Sequence, residues 1–422
     1  MTPLRVGLDA RFIPGERGGV EQAMLGLAHG LSQLIDGDEE YYFLIYAGTE
    51  DWIKPYLSGA CRTLRGPIAP RLYGPSTLRS VRTIARRAWH QASPILGARS
   101  VPLPRSDGTL ERAGIDLMHF TNQTAFLTDL PSIFQPWDLQ HIHLPHFFTP
   151  HERLARDITY RTYCEQAALV VVPSQWSKRD LIEQYGLPAQ KIAVIPAAPA
   201  LSIVPPTEAE CNVVRRRHNL PEAFVFYPAQ TWAHKNHLRL IAALAQLRDE
   251  QQREISLVCT GVLNDFYPTI QRQIRALRLE QQVTFLGYIS PHELHCLYRL
   301  CRALIFPTKF EGFGLPLIEA FSAGAPVACS AVTCLPEIVA DAALLFDPDR
   351  PAEIAAAIER LWTDAALRQT LIQRGRAVAA RYSWVHVARL FRAHYRQLAH
   401  RPLSPDDQEL LTASDFAVGD TL

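Results

Sequence analysis

Apolar runs of strand length alternate with amphipathic stretches of helix length along almost the whole chain, in two series separated by a break near residue 200. The first series is predicted to place strands at Leu4–Asp9, Tyr41–Tyr46, Asp116–Phe120, Ser132–Gln135, Leu169–Val172 and Ile192–Ile195. Val20, Ala23, Met24, Leu27, Leu31 and Leu34 follow the first strand as a helical stripe. Ser174 reads as the cap of a helix that Gly186 stops. The stretch AAPALSIVPPTEAE, with Pro199, Pro205 and Pro206, interrupts the pattern and reads as a linker. The second series puts strands at Phe224–Tyr227, Ile255–Thr260, Val283–Leu286, Ala303–Phe306, Pro326–Cys329 and Leu344–Phe346, and Ser290 to Glu293 forms a capping box. Alternation of this kind calls for parallel sheets covered by helices on both faces. The expected class is therefore α/β, two doubly wound parallel-sheet domains, with ligands at the carboxyl ends of the strands and the cleft between the halves as the default site.

Composition narrows the function. The chain has 422 residues, 48% hydrophobic and 20% charged, with 43 basic against 42 acidic side chains. A net charge of +1 excludes a polyanion-coating protein, so no nucleic-acid partner is expected. No run approaches the length needed to span a bilayer, and Arg5, Asp9 and Arg11 interrupt the stretch a signal peptide would need. A cytoplasmic location is the expectation. The 8 cysteines are scattered, with no Cys-x-x-Cys pair, and read as buried free thiols.

Two segments depart from the alternation. Residues 60–112 hold ten arginines against Asp107 and Glu111. Within them Leu78, Val81, Ala85 and Trp89 recur near every fourth position, with Arg79, Arg82, Arg86 and Arg87 on other faces. That pattern fits a solvated surface helix, or a cationic amphipathic helix peripheral to an anionic membrane or gripping a phosphorylated acceptor. The other segment, residues 404–422, is acidic, contains no Lys or Arg, and reads as disordered.

The stretch most suggestive of chemistry is FPTKFEGFGLPLIE, Phe306 to Glu319. A strand ends at Phe306, a loop holds Glu311, Gly312, Phe313 and Gly314, and a helix begins near Leu315 with Pro316 in its first turn. The glycines let backbone N–H groups approach a ligand, and a helix N-terminus favours negative charge. The result is a cradle for a phosphate or a sugar hydroxyl; spacing alone leaves open a plain glycine-rich turn with two unrelated glutamates. Paired-carboxylate glycoside hydrolysis is excluded, because eight residues of helix span about 12 Å and such catalysis uses roughly 5 to 9.5 Å.

Glu311 and Glu319, in the setting PTKFEGFGLPLIEAFSAGAPVACS, closely resemble the signature of retaining nucleotide-sugar glycosyltransferases of the GT-B fold, family 4. Further segments match in the same order: GGVEQ, VVPSQWSKRDLIEQYG, YPAQTWAHKN, VTFLGYISPHELHCLYRLC and LPEIVADAALLFDP. The resemblance covers nearly all of residues 4–400. It implies two Rossmann-like domains facing across a cleft: an acceptor-binding domain over 1–200 containing the basic insertion 60–112, and a nucleotide-sugar-binding domain over 205–382. A helix over 383–400 would cross back to the first domain, ahead of the tail 401–422. By position, Glu319 would hold the ribose hydroxyls, Glu311 with the amides of Phe313 and Gly314 the donor sugar and diphosphate, and Lys235 the pyrophosphate charge. A vicinal diol can donate two hydrogen bonds to one carboxylate, and a departing diphosphate needs a cation. Leu315, Gln230, Thr260 and Gly261 are carried as further donor-site residues. Gly18 and Gly19, on the loop after the first strand, would approach the diphosphate and the acceptor; as residues alone they read equally as turn glycines.

Two departures accompany the match. Where relatives carry His-Asp-Leu, this chain has Trp137 before Asp138 and Leu139, and Trp cannot move a proton at neutral pH. Asp138 and His141 are the candidate substitutes. Ala229 and Gln230 stand where an arginine often precedes the lysine by five or six residues. His141, His143, His146 and His151 fit no zinc spacing, so no metal site is expected, and the resemblance implies no obligatory cofactor beyond the donor substrate. The implied reaction moves a mannose- or glucose-like sugar from a nucleoside diphosphate to a hydroxyl of a glycan or lipid-linked glycan, as in polysaccharide biosynthesis, with retention. The acceptor would attack the face from which the diphosphate leaves, the departing phosphate oxygen serving as base. A non-hydrolysing nucleotide-sugar epimerase and a catalytically decayed GT-B subunit are the competing readings.

Overall fold

The computed structural model describes residues 2–13, 18–68, 101, 103–199 and 205–416. The helix expected through residues 76–92, the linker positions 200–204 and the last part of the tail, 417–422, lie outside the described residues.

Two all-parallel sheets organise the chain. The first contains β1 (Leu4–Asp9), β2 (Glu39–Ala47), β3 (Cys61–Ile68), β4 (Leu117–Phe120), β5 (Ser132–Phe134), β6 (Leu169–Val172) and β7 (Ile192–Val194), in the order β3-β2-β1-β4-β5-β6-β7. The second contains β8 (Val225–Pro228), β9 (Leu257–Thr260), β10 (Val283–Phe285), β11 (Ala303–Phe306), β12 (Val327–Ser330) and β13 (Ala343–Phe346), in the order β10-β9-β8-β11-β12-β13. Every residue of β4, β6, β9, β11 and β12 is buried, as expected of strands covered on both faces. In each sheet the order reverses beside the first strand, between β1 and β4 and between β8 and β11, leaving a crevice at the carboxyl ends.

The chain divides into two compact units. One comprises Met1–Pro173, Ser177–Ile195 and Trp384–Leu422; the other comprises Ser174–Trp176 and Pro196–Ser383. The first unit therefore takes its last two helices, Trp384–Leu398 and Pro405–Phe416, from the end of the chain. Docking of the first of these is set by two glycines. A Cβ on Gly26 would lie 1.9 Å from the Trp384 ring, and one on Gly30 would lie 2.3 Å from the Trp384 carbonyl. Further along, the Tyr395 hydroxyl lies 2.7 Å from His119 Nδ1, while His119 Nε2 lies 2.9 Å from Gln135 Oε1. Burial lowers the His119 pKa to about 3, so the ring is neutral. Gln135 Oε1 can only accept, so Nε2 carries the proton and Nδ1 accepts from tyrosine.

Two expectations need correction. Residues 401–422 were read as disordered, yet Pro405–Phe416 is a helix. Its start is a capping arrangement: the Asp407 amide donates to Ser404 Oγ at 3.1 Å, and Asp407 Oδ2 accepts from the Ser404 amide at 2.9 Å. Arg396 then pairs with the fully buried Asp407 at 2.7 Å and Arg389 pairs with Asp406, so these two acidic residues are partnered. The basic block 60–112 also begins as sheet, because Cys61–Ile68 forms the edge strand β3 on β2. All eight cysteines are buried and free of disulfides. Among the described residues, no helix is long and apolar enough to cross a membrane.

Candidate functional site

In the second unit, the loops leaving β8 and β11 meet at the point where the strand order reverses. The β8 loop closes into a tight turn, Ala233–Lys235, followed by Asn236 in the left-handed region at φ 62°. Asparagine tolerates that conformation, and its buried amide ties two segments together by donating to the carbonyls of Pro307 at 2.9 Å and Pro348 at 2.8 Å. The Lys309 amide donates to the His234 carbonyl at 2.9 Å, and the Tyr227 hydroxyl to the Lys235 carbonyl at 2.6 Å. These bonds fix where the Lys235 side chain starts. Its Nζ donates to Glu311 Oε1 at 2.6 Å, with the two side chains 20% and 14% exposed.

Glu311 is held equally firmly from behind. Its amide donates to Thr333 Oγ1 at 3.3 Å, and its carbonyl accepts from the same hydroxyl at 2.9 Å. Gly314 follows at φ 90° and opens the helix Leu315–Ala323. A Cβ there would come within 2.7 Å of Leu335 Cδ2, so both backbone angle and space require glycine. The Leu317 amide bonds the Gly314 carbonyl and Pro316 has no N–H, which leaves the Leu315 amide at the positive end of the helix dipole. Phe313 points its side chain into the core, 5.7 Å from the Tyr382 ring, so its contribution to a ligand is its backbone. One turn into the helix, Glu319 Oε2 accepts from the Tyr298 hydroxyl at 2.7 Å. Burial, reinforced by Glu319, raises the Tyr298 pKa well above its ordinary value, so the phenol stays protonated and donates.

The remaining second-unit candidates are joined to this frame by backbone. Thr260 ends β9 in the core and its carbonyl accepts from the Ala229 amide at 2.9 Å. Gly261 sits at φ 121°, where a Cβ would meet the backbone of Ala229 and Gln230 at 2.8 Å. Gln230 Oε1 accepts from the Trp232 indole at 2.8 Å. The structure thus brings Lys235 and Glu311 into direct contact, with Gly312 to Gly314 leading into the helix at Leu315, and Gln230, the end of β9 at Thr260 and Gly261 joined to the β8 loop by backbone contacts.

The segment Ser174–Trp176 belongs to the same unit and supports the glycine loop. Ser174, expected to cap its helix, donates its hydroxyl to the Gly312 carbonyl at 2.9 Å. A distant carboxylate also holds the start of that helix: Glu337 accepts from the amides of Gln175 at 2.8 Å and Trp176 at 2.9 Å.

Gly18, Gly19, Asp138 and His141 lie in the first unit. Gly18 adopts φ 54° and starts the helix Gly19–Ser32, and a Cβ on Gly19 would face open space. Trp137 sits at φ 67°, a strained value for an aromatic residue, and its indole donates to the Thr121 carbonyl at 3.0 Å. Asp138 Oδ1 accepts from the Gln140 amide at 3.0 Å, within the turn that begins the helix Gln140–His143. His141 corrects the expectation of a cleft residue. It is 2% exposed, packs on Tyr160 at 5.2 Å, and lies 3.3 Å from the Tyr185 hydroxyl. Burial, helped by nearby arginines, lowers its pKa to about 4, so the ring is neutral near pH 7. Among the described residues, no cluster of His, Cys, Asp or Glu is arranged to hold a metal ion.

Sequence reasoning missed Tyr298, Thr333, Trp232 and Glu337. Tyr298, Thr333 and Glu337 act on residues in other segments, of which local spacing carries no signal, and Trp232 acts on Gln230 two positions away through a side-chain contact that spacing does not show.

Comparison with known proteins agrees with this architecture. Residues 212–378 match the family model described as glycosyl transferases group 1, and residues 17–198 match glycosyltransferase family 4. O-antigen chain mannosyltransferase B from Escherichia coli is 31% identical over 221 residues, covering 52% of this chain and 58% of that protein. The serotype-specific mannosyltransferase WbdA from Escherichia coli is 28% identical over 256 residues, covering 59% of this chain and 31% of that protein. The chain thus spans well under two thirds of the length of these relatives. Among solved structures, HepE from Anabaena in complex with UDP and glucose superposes with a TM-score of 0.68 at 19% identity, covering 93% of this chain and 99% of that one. Sucrose-phosphate synthase from Thermosynechococcus elongatus gives 0.69 at 22% identity, covering 94% and 99%. Two parallel sheets with reversed strand order, matched family models in both halves and these neighbours together place the fold as GT-B, and the chain belongs to the family 4, group 1 glycosyltransferases.

Proposed function

We propose that this protein transfers a hexose from a nucleoside diphosphate sugar to an acceptor hydroxyl, with retention at the anomeric carbon. The observation that carries the reading is the Lys235–Glu311 pair at the reversal of strand order, beside the helix that begins at Leu315. In this reading the diphosphate displaces part of the ion pair: Lys235 turns to the phosphates, the Leu315 amide donates to them, and Glu311 is released to a sugar hydroxyl. Glu319, oriented by Tyr298, takes the ribose diol. Charge that develops on the departing diphosphate is met by an ammonium group and a helix dipole. The acceptor hydroxyl attacks from the same face, and its proton passes to the departing phosphate oxygen, so no side-chain nucleophile is needed.

Residues 205–382 would carry the donor and 1–200 the acceptor. The sugar is read as mannose or a glucose-like hexose and the acceptor as a glycan, free or lipid-linked, in polysaccharide assembly. The similarity to O-antigen mannosyltransferases favours mannose, and the arginine-rich segment suits an anionic membrane surface or a phosphorylated acceptor. No cofactor is assigned beyond the donor.

The test is a panel of nucleotide sugars screened by thermal shift, followed by transfer assays with the stabilising donor and glycan acceptors. Transfer with an unchanged anomeric configuration by NMR is the expected result. Release or epimerisation of the sugar without transfer would favour the epimerase reading, and binding without turnover the decayed subunit.

A further inference from the structure

Trp232 has no evident structural task. It is 49% exposed, follows the fully buried Thr231, and lies on the same β8 loop as Lys235. A large apolar side chain left half in water adds little to the core. Its indole nitrogen nevertheless donates to Gln230 Oε1 at 2.8 Å. An indole N–H can only donate, so the atom facing it must be the carboxamide oxygen, and the amide is held in one orientation with its NH2 group directed away from the ring. The backbone beneath is fixed as well. The Trp232 amide bonds the Gln230 carbonyl at 2.8 Å, and the Thr231 amide bonds the Val262 carbonyl at 3.2 Å. Thr231 Oγ1 also accepts from the Asn264 amide at 2.8 Å. Among the described residues no acceptor pairs with Gln230 Nε2, and Gly261 keeps the loop at this spot by leaving room for the Gln230 backbone nitrogen.

Resting on the donor-binding reading above, we propose that Trp232 is a positioning residue that presents the two N–H groups of Gln230 to the diphosphate of the donor. Position 230 is one of the two at which the sequence resemblance leads one to expect an arginine. A glutamine there offers neutral donors with a rotatable amide, which needs an external restraint that a guanidinium, donor on every nitrogen, does not. The indole is that restraint.

A double-mutant cycle on the full chain tests this. GDP and UDP binding would be measured by titration calorimetry for the wild type, Trp232→Phe, Gln230→Ala and the double variant, with circular dichroism confirming folding. If Trp232 acts through Gln230, Trp232→Phe weakens the better-bound nucleotide by about three- to tenfold, the scale of a lost hydrogen bond. The double variant is then no weaker than Gln230→Ala alone. Donor KM should rise in Trp232→Phe while kcat holds, and adding Gln230→Arg to Trp232→Phe should restore affinity. Unchanged affinity in Trp232→Phe, or losses that multiply in the double variant, would overturn the positioning role alone. A wild-type chain that binds neither GDP nor UDP would remove the donor-binding reading itself.

Discussion

Lys235 and Glu311 satisfy each other at 2.6 Å in a pair only partly open to water, so removing either leaves a half-buried charge without its partner. Glu311→Ala is expected to lower kcat by about ten- to a hundredfold with a smaller effect on donor KM, because Glu311 is assigned to the sugar rather than the nucleotide. Glu319→Ala should instead raise donor KM about tenfold, near 1.4 kcal/mol, and Tyr298→Phe should do the same more weakly, by about 1 kcal/mol. Steady-state kinetics with the donor varied separates the three; wild-type constants in all of them would remove the site. His237 makes a different point. Both ring nitrogens are buried without a hydrogen-bond partner among the described residues, the ring packs on Tyr227 at 4.8 Å, and burial with nearby Lys235 lowers its pKa to about 3. The unfolded chain binds this proton from about pH 6.5 downward while the native state refuses it. Stability is therefore fully present above pH 6.5 and declines as the pH falls from there towards 3. His237→Phe should flatten that decline between pH 7 and 5 in urea titrations and leave stability at pH 7 equal or higher. At this scale the sequence was legible where a residue belonged to a contiguous motif, as Glu311, Glu319 and Lys235 do. It was silent on Tyr298, whose partner is 21 positions away, and misleading on His141, because residue identity says nothing of burial.

Among the elements, the helix Gly19–Ser32 shows two physical terms in competition. An alanine at Gly26 gains about 1 kcal/mol of helix propensity. Against that stands a Cβ 1.9 Å from the Trp384 ring, which the glycines at 26 and 30 admit and which no side-chain rotation of alanine relieves. Overpacking of this kind costs about 1–3 kcal/mol, and here it wins. Gly26→Ala should thus lower the denaturant midpoint of the first unit, whereas Gly19→Ala, with open space around its Cβ, should not. Twelve of the thirteen strands were visible as apolar runs, five of them with every residue buried. The exception, β3, carries Arg62, Arg65, Gly66 and Pro67 and pairs on one side only, so its composition resembles a loop. The acidic tail helix was lost for a related reason. Its charges looked solvated, whereas Asp406 pairs with Arg389 and Asp407 with Arg396, tertiary contacts that spacing does not show.

Over the whole molecule, each sheet reverses its strand order beside its first strand, and that topology rather than any one motif decides where loops from β8 and β11 can meet. The alternation of strand and helix makes this architecture readable in the sequence. The alternation does not itself place the end of the chain; the family resemblance leads to the expectation that a helix over 383–400 returns to the first domain, and the first unit includes Trp384–Leu422. Ending the chain at Ser383 should therefore expose Tyr41 and His119, which pack on Tyr395, and raise amide hydrogen exchange in the first unit, while exchange in β8, β9 and β11 stays close to that of the full chain. The central claim is that a nucleoside diphosphate is held at the start of the helix Leu315–Ala323. A crystal structure with bound GDP or UDP tests it most directly. The account predicts a β-phosphate within hydrogen-bond reach of Lys235 Nζ and the Leu315 amide, with the ribose on Glu319; a nucleotide seated elsewhere, with the Lys235–Glu311 pair undisturbed, would contradict it.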